Sequence, residues 1–150
     1  WSFSASGNIT SRRAIHYNTE PIDYSEQQLI DCSSSFGNNG CKGGIMDSAF
    51  EYVKTAPLET SADYPYKAVN GSCMYSSSQG TGSINGYTNV VHNSVSAMKA
   101  ALKTGPVSIA VDASQTAFQS YTSGVVTSGC GTSLDHGIMA VGWDTDSETG

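Results

Sequence analysis

Charged side chains make up only 13% of this 150-residue sequence, and the seven Lys and Arg are outnumbered by thirteen Asp and Glu. With a net charge of −6 and one adjacent basic pair, Arg12–Arg13, the chain lacks the clustered cations that nucleic acid requires. No apolar run approaches the ~20 residues needed to cross a bilayer. The four cysteines form no CxxC pair, no HxxxH occurs, and eight residues separate Cys32 from Cys41, so the usual structural-zinc spacings are missing. A Gly-x-Ser-x-Gly elbow, the common mark of a serine hydrolase, is also absent. Neither a metal nor a cofactor is called for.

What is present suits a compact, loop-rich protein rather than a disordered one: sixteen glycines, many serines and 38% hydrophobic residues. This length can bury a real core. Cys32, Cys41, Cys73 and Cys130 are too few for a small disulfide scaffold but fit an oxidised compartment.

Helix signals fill the first half. Phe3, Ala5, Ile9, Ala14 and Ile15 are loosely spaced for a helix over 1–17, with Gly7 weakening it. Ser25-Glu26-Gln27-Gln28 is a capping-box pattern leading into Leu29 and Ile30. Met46, Ala49, Phe50 and Val53 fall at helical spacing, closed by Pro57. The Ser/Gly-rich stretch 76–86 reads as a boundary or crossover. A short helix over 94–103 then stops at Gly105-Pro106. Val107, Ile109 and Val111 alternate with Ser108, Ala110 and Asp112, as in a half-buried strand, and 124–126 and 137–143 are further strand candidates. Helices followed by strands read as α+β.

Nucleophilic catalysis needs a thiol or hydroxyl beside an oriented imidazole. His16, near Arg12 and Arg13, reads as a surface histidine, and His92 in a polar run as a structural or solvated one. His136 differs because it enters the small, apolar run 137–142, where a polar group is costly without a partner or a task. That pattern alone suits a satisfied core histidine as well as a catalytic one. Among the cysteines, Cys41 before Lys42-Gly43-Gly44 comes nearest to a nucleophile's surroundings, yet a half-cystine is the simpler reading of all four.

Five ordered motifs resemble one family. Trp1-Ser2-Phe3-Ser4-Ala5 is similar to the stretch after the nucleophile in papain-like cysteine proteases. Residues 24–32, YSEQQLIDC, resemble the family's "LSEQELVDC"; Gly40-Cys41-Lys42-Gly43-Gly44 resembles "GCNGG"; and Tyr64-Pro65-Tyr66 matches "YPY". Cys130 followed by Leu134-Asp135-His136-Gly137 resembles the catalytic-histidine segment. Residues 43–50 are more similar to the cathepsin L-like branch.

The resemblance implies a two-lobe α+β fold truncated at both ends, with a helical lobe over 1–87 and an incomplete antiparallel β-barrel lobe over 88–150. It implies a cysteine-type endopeptidase in which His136 is the catalytic imidazole. Gly43 and Gly44 would hold an extended substrate, and Ile45, Met46, Ala110, Leu134, Asp135 and Gly137 would line its site with a preference for bulky hydrophobic P2 side chains. Periodicity alone would instead assign Ile45 and Met46 to core packing at a helix start. The nucleophilic Cys would immediately precede Trp1, and the Asn that orients His136 would follow Gly150, so these residues alone would be inactive. By the same matching Cys32 would pair with Cys73, while Cys41 and Cys130 would pair outside the sequence. Implied partners are polypeptide substrates, the protein's own propeptide and cystatin-like inhibitors, with no nucleic acid or membrane, for a monomer in a lysosome-like vacuole or secreted. Asn70-Gly71-Ser72 is a glycosylation sequon in a loop; Asn8-Ile9-Thr10 also matches but falls on the expected central helix. The competing readings are a non-catalytic homologue of the same fold that acts as a binding or matrix protein, and a zinc-stabilised interaction module.

Overall fold

A computed structural model of the chain describes residues 1–145. Its helices are α1 (Ser2–Tyr17), α2 (Glu26–Cys32), α3 (Met46–Thr55), α4 (Val95–Leu102) and α5 (Thr116–Gln119), with 3-10 turns at Ser34–Phe36 and Gly40–Lys42. Two strands, β1 (Val107–Val111) and β2 (His136–Ala140), pair antiparallel with Val107 opposite Ala140 and Val111 opposite His136.

The long helix α1 packs on both halves and uses different chemistry for each. Ala5 and Ile9 enter an apolar core with Tyr24, Leu29, Ala49, Phe50, Val53 and Leu58. A second stripe, one turn apart per residue, is polar and docks the strand pair. Ser4 Oγ donates to Ile138 O (2.7 Å), Asn8 Nδ2 to Pro106 O (3.1 Å) and Arg12 Nε to the same Pro106 O (2.8 Å). Ser108 Oγ returns a bond to Ser4 O at 3.1 Å. Gly7 lowers intrinsic helix propensity, but docking on two faces decides the matter, as tertiary packing commonly does.

Helix α2 starts where the capping pattern places it: Ser25 Oγ accepts Gln28 N–H at 2.9 Å. The glutamine does not reach back to the cap. Instead the Ser25 N–H goes to Glu59 O, and the fully buried Gln28 side chain accepts from Glu59 N (2.7 Å) and donates to Tyr52 Oη (2.9 Å). A buried amide with every bond made stitches α2, α3 and the chain after Pro57 together. Residues 81–82 fold back here, with Thr81 and Gly82 N–H bonding to Leu58 O and Leu58 N–H to Gly82 O. Cys32 and Cys73 form a disulfide.

Two strand expectations need correction. Residues 124–126 form no strand: Gly124 has φ 83°, and Val125 and Val126 are exposed. The third expected strand begins at His136 and ends at Ala140, because its partner β1 begins at Val107 just after Pro106, which has no N–H to continue the ladder. Helix α4 falls within the expected 94–103 and starts at a Ser94 cap, whose Oγ accepts Ala97 N–H at 3.2 Å. The second half therefore contributes, among the described residues, one two-stranded antiparallel sheet. No helix among them is long and apolar enough to cross a membrane.

Candidate active site

Trp1 is the N-cap residue of α1, and its indole is clamped at the end of the 38–46 loop. Nε1–H donates to Gly40 O at 3.1 Å. A Cβ at Gly44 would stand 2.8 Å from the indole and 2.5 Å from Asn38 Oδ1, so only glycine lets this backbone lie on Trp1. The buried Asn38 shapes the loop from inside: its Oδ1 accepts Ile45 N–H (2.9 Å) and its Nδ2 donates to Ser33 Oγ (2.9 Å). Asn39 N–H closes the loop on Gly43 O at 2.8 Å. Gly43 has φ 133°, a region open to glycine, and its outward side faces free space.

The start of β2 comes down onto the same place. A Cβ on Gly137 would meet Trp1 Cα at 3.2 Å and Met46 Sδ at 2.7 Å. Gly137 pairs with Ala110, and His136 with Val111, so the strand register puts His136 one residue beyond the helix terminus. The His136 ring is exposed and edge-on to Phe118, with centroids 6.2 Å apart. It opens on a cavity of about 500 Å³ shared with Ala113, Ser114, Phe118, Gln119 and Asp135.

Two carboxylates fix the approach to His136. Asp135 Oδ1 accepts Ala113 N–H at 2.8 Å, while its own N–H bonds to Val111 O at 3.0 Å. Just past the end of β1, the buried Asp112 accepts Ser114 Oγ–H (2.6 Å), Ser114 N–H (3.2 Å), Gln115 Nε2–H (3.1 Å) and Ser133 N–H (3.0 Å). The Ser114 hydroxyl, with help from Ser133 N–H and Gln115, holds the Asp112 carboxyl below the usual aspartate range.

The structure thus sets Gly44 and Gly137 against Trp1, Met46 against Gly137 and Ala110 opposite Gly137 in the ladder, with His136 the next residue. Met46 and Ala110 also line a larger cavity of about 1550 Å³ that runs along α1 past Ile9 and Arg12. Ile45 is 61% exposed, so it is not the core residue that helical periodicity suggests, whereas Met46 packs against the core. Leu134 is 64% exposed and makes no contact with that group in the strand ladder. His16 is exposed and stacks edge-on with Tyr17; His92 is exposed in a turn. Cys41 and Cys130 are exposed free thiols, and no group of metal-ligating side chains occurs among the described residues. Sequence reading missed Asn38 and Asp112. Their signals were an Asn-Asn-Gly turn and an acid that ends an apolar alternation before Ala-Ser, an Asx-turn composition.

Comparisons with known proteins point the same way. Two curated relatives are the oryzain beta chain of Oryza sativa, 42% identical over 98% of this chain and 32% of its own length, and a cathepsin L-like peptidase of Aedes aegypti, 41% identical over 99% and 44%. The chain spans about a third to under half of the length of such relatives. Among solved structures, a cysteine protease of Carica candamarcensis in complex with E-64 matches with TM-score 0.86 and 33% identity, covering 94% of this chain and 65% of that one. Digestive procathepsin L 3 of Tenebrio molitor larval midgut matches with TM-score 0.89 and 36% identity, covering 98% and 49%. A family model described as papain family cysteine protease matches residues 1–150, so that the helix terminus at Trp1, the glycine loop and the His136 strand belong together: the chain is a member of the papain family of cysteine proteases.

Proposed function

We propose that the whole protein is a cysteine endopeptidase and that His136 is its imidazole base and acid. The observation that carries this reading is the contact of Gly137 with Trp1, which sets His136 beside the N-terminus of a sixteen-residue helix. A thiol one residue ahead of Trp1 would stand at that terminus, where the helix dipole and a neighbouring imidazolium both favour thiolate. The thiolate would attack the scissile carbonyl, the imidazolium would protonate the leaving amine, and water would then release the acyl group. Residues 1–145 hold the imidazole but not that thiol, so on this reading they do not turn over substrate alone.

Gly43 and Gly44 offer backbone to an extended peptide at an open edge. Ile45, Met46, Ala110, Leu134, Asp135 and Gly137 form the adjoining surface, whose apolar members suit a bulky hydrophobic P2 side chain. We assign the helical lobe to residues 1–87 and the β lobe to 88–150. The protein's own propeptide and cystatin-like inhibitors would occupy the same groove of a monomer. The disulfide supports a lysosome-like or secreted location.

The test is made on the full-length protein. Cysteine is expected directly before Trp1, and His136→Ala should lower kcat/KM on a Leu- or Phe-P2 peptide by ~10²–10⁴-fold. Serine or glycine before Trp1, or an active His136→Ala enzyme, rejects the reading. Peptide binding without turnover in the unaltered protein would identify a non-catalytic homologue.

A further inference from the structure

The chain carries two Asn-x-Ser/Thr sequons, and the fold treats them in opposite ways. Asn8 lies in α1, is buried, and spends its Nδ2 on Pro106 O at 3.1 Å across the seam between the helix and the strand pair. Asn70 is exposed. Its Oδ1 accepts Cys41 N–H at 2.7 Å and lies against Gly40, but its Nδ2 donates no hydrogen bond among the described residues.

The rest of the Asn70 sequon is anchored from behind. Gln27 Nε2 holds Val69 O at 2.7 Å, Asp31 Oδ1 accepts Gly71 N–H at 2.7 Å, and Tyr64 Oη reaches Ser72 O at 3.4 Å. Cys73 is tied to Cys32. These bonds consume backbone groups and the amide oxygen, and among the described residues they leave without a hydrogen bond the two groups that glycosylation uses, the Asn70 amide nitrogen and the Ser72 hydroxyl. Because Oδ1 remains an acceptor in a glycosylated asparagine, the modified side chain can keep its bond to Cys41 N–H.

We propose that Asn70, and not Asn8, bears an N-linked oligosaccharide, standing on the outer flank of the Gly40–Gly43 turn and buttressing it through Oδ1. In the transfer, a bond forms between Asn70 Nδ2 and the anomeric carbon of a lipid-linked oligosaccharyl pyrophosphate. The lipid pyrophosphate leaves, the amide gives up one proton, and nothing is oxidised or reduced. The site requires passage through a secretory lumen and so rests on the location proposed above. Its consequence is local: the glycan crowds the side of the turn away from Gly44, since Asn70 meets the turn at Gly40 and Cys41.

The experiment uses the full-length protein made in a eukaryotic cell that secretes it. Peptide N-glycosidase in heavy-oxygen water converts a glycosylated Asn to a labelled Asp, and peptide mapping should find that label at Asn70 and none at Asn8. A bare Asn70 in protein whose Cys32–Cys73 disulfide has formed overturns the glycan assignment. A bare Asn70 in protein with reduced cysteines overturns it together with the proposed location. Label at Asn8 overturns the structural argument for selectivity. Ser72→Ala should remove the glycan yet leave the turn intact, whereas Asn70→Ala should remove both. Faster amide exchange at Cys41 in Asn70→Ala but not in Ser72→Ala is therefore expected, and equal exchange in the two variants would overturn the buttressing role.

Discussion

Asp112 accepts the backbone N–H of Ser133 at 3.0 Å, three residues before His136, and Asp135 accepts the N–H of Ala113, one residue after Asp112. Each carboxylate thus pins the other's loop. The pair joins the end of β1 to the start of β2 just beyond the ladder, beside the backbone bond from Asp135 N–H to Val111 O. Asp112 also lies against Gly131 so closely that a Cβ there would overlap its Oδ2.

Removing the Asp112 carboxylate should therefore loosen the His136 segment more than it loosens the fold. On the proposed function, Asp112→Ala in the full-length protein is expected to lower kcat by roughly 10- to 100-fold, the scale of a misplacement near 1 Å, with KM within about twofold. Asp112→Asn keeps an oxygen for Ser133 N–H and should recover most of the loss. The depressed pKa of the wild-type Asp112 carboxyl stabilises the fold in its ionised form. The stabilisation is complete above the ordinary aspartate value of 3.8 and is lost as pH falls through the lower folded value. A kcat in Asp112→Ala equal to wild type, read at several pH values, contradicts the clamp.

Gly137→Ala tests how closely β2 rides on the helix terminus. The added methyl meets the flexible Met46 sulfur at 2.7 Å and the Trp1 backbone at 3.2 Å. Overpacking of this kind costs about 1–3 kcal/mol. Adding Met46→Ala should relieve the sulfur clash but not the backbone one. The double variant is expected to regain part of the lost denaturation midpoint while activity stays low. Full recovery of both would mean that Trp1 does not limit this approach.

How far these features were legible depends on where each residue's partner lies. Local signals read well: the Ser25 cap, the Met46–Val53 periodicity and the alternation of β1 all depend on near neighbours. Helix α1 read weakly because one face is a polar docking stripe of Ser4, Asn8 and Arg12, which pattern reading counts as solvent-facing. Gln27 and Gln28 look like surface residues for the same reason, yet both are fully buried with satisfied amides. Gly124-Val125-Val126 had strand composition but no partner strand, and composition cannot supply one. His136 and Gly44 were placed by motif resemblance. Asp112 has local partners in Ser114 and Gln115, but its bond from Ser133 N–H spans 21 residues, and a long-range partner of that kind leaves almost no mark in sequence.

The Cys32–Cys73 disulfide closes a sequence separation of 41 residues around α3. Chain-entropy reasoning gives about 4 kcal/mol for a loop of this length. The Cys32→Ser/Cys73→Ser variant should show a lower urea midpoint with little change in native circular dichroism. Since Cys73 also ends the Asn70 loop, hydrogen exchange at Gly71 should quicken first. An unfolding free energy within about 0.5 kcal/mol of wild type would show that Gln27, Asp31 and Tyr64 hold the loop without it.

The buried tyrosines predict an alkaline limit. Burial pushes Tyr52 up from 10.0 to about 12, and burial together with neighbouring Asp31 does the same for Tyr64. A raised folded pKa favours the neutral phenol, so its stabilisation is complete below pH 10 and is lost as pH rises from there through 12. Absorbance at 295 nm should show part of the tyrosine signal appearing only near pH 12, coincident with loss of tertiary structure, whereas the urea-unfolded chain should titrate near 10 in one step. Tyr52→Phe removes one such phenol and its bond from Gln28 Nε2, which keeps Pro57 O at 3.3 Å as a second acceptor. It should cost only ~0.5–1.5 kcal/mol at neutral pH and shrink the late step. A late step unchanged in both Tyr52→Phe and Tyr64→Phe would place the retarded ionisation elsewhere in the chain.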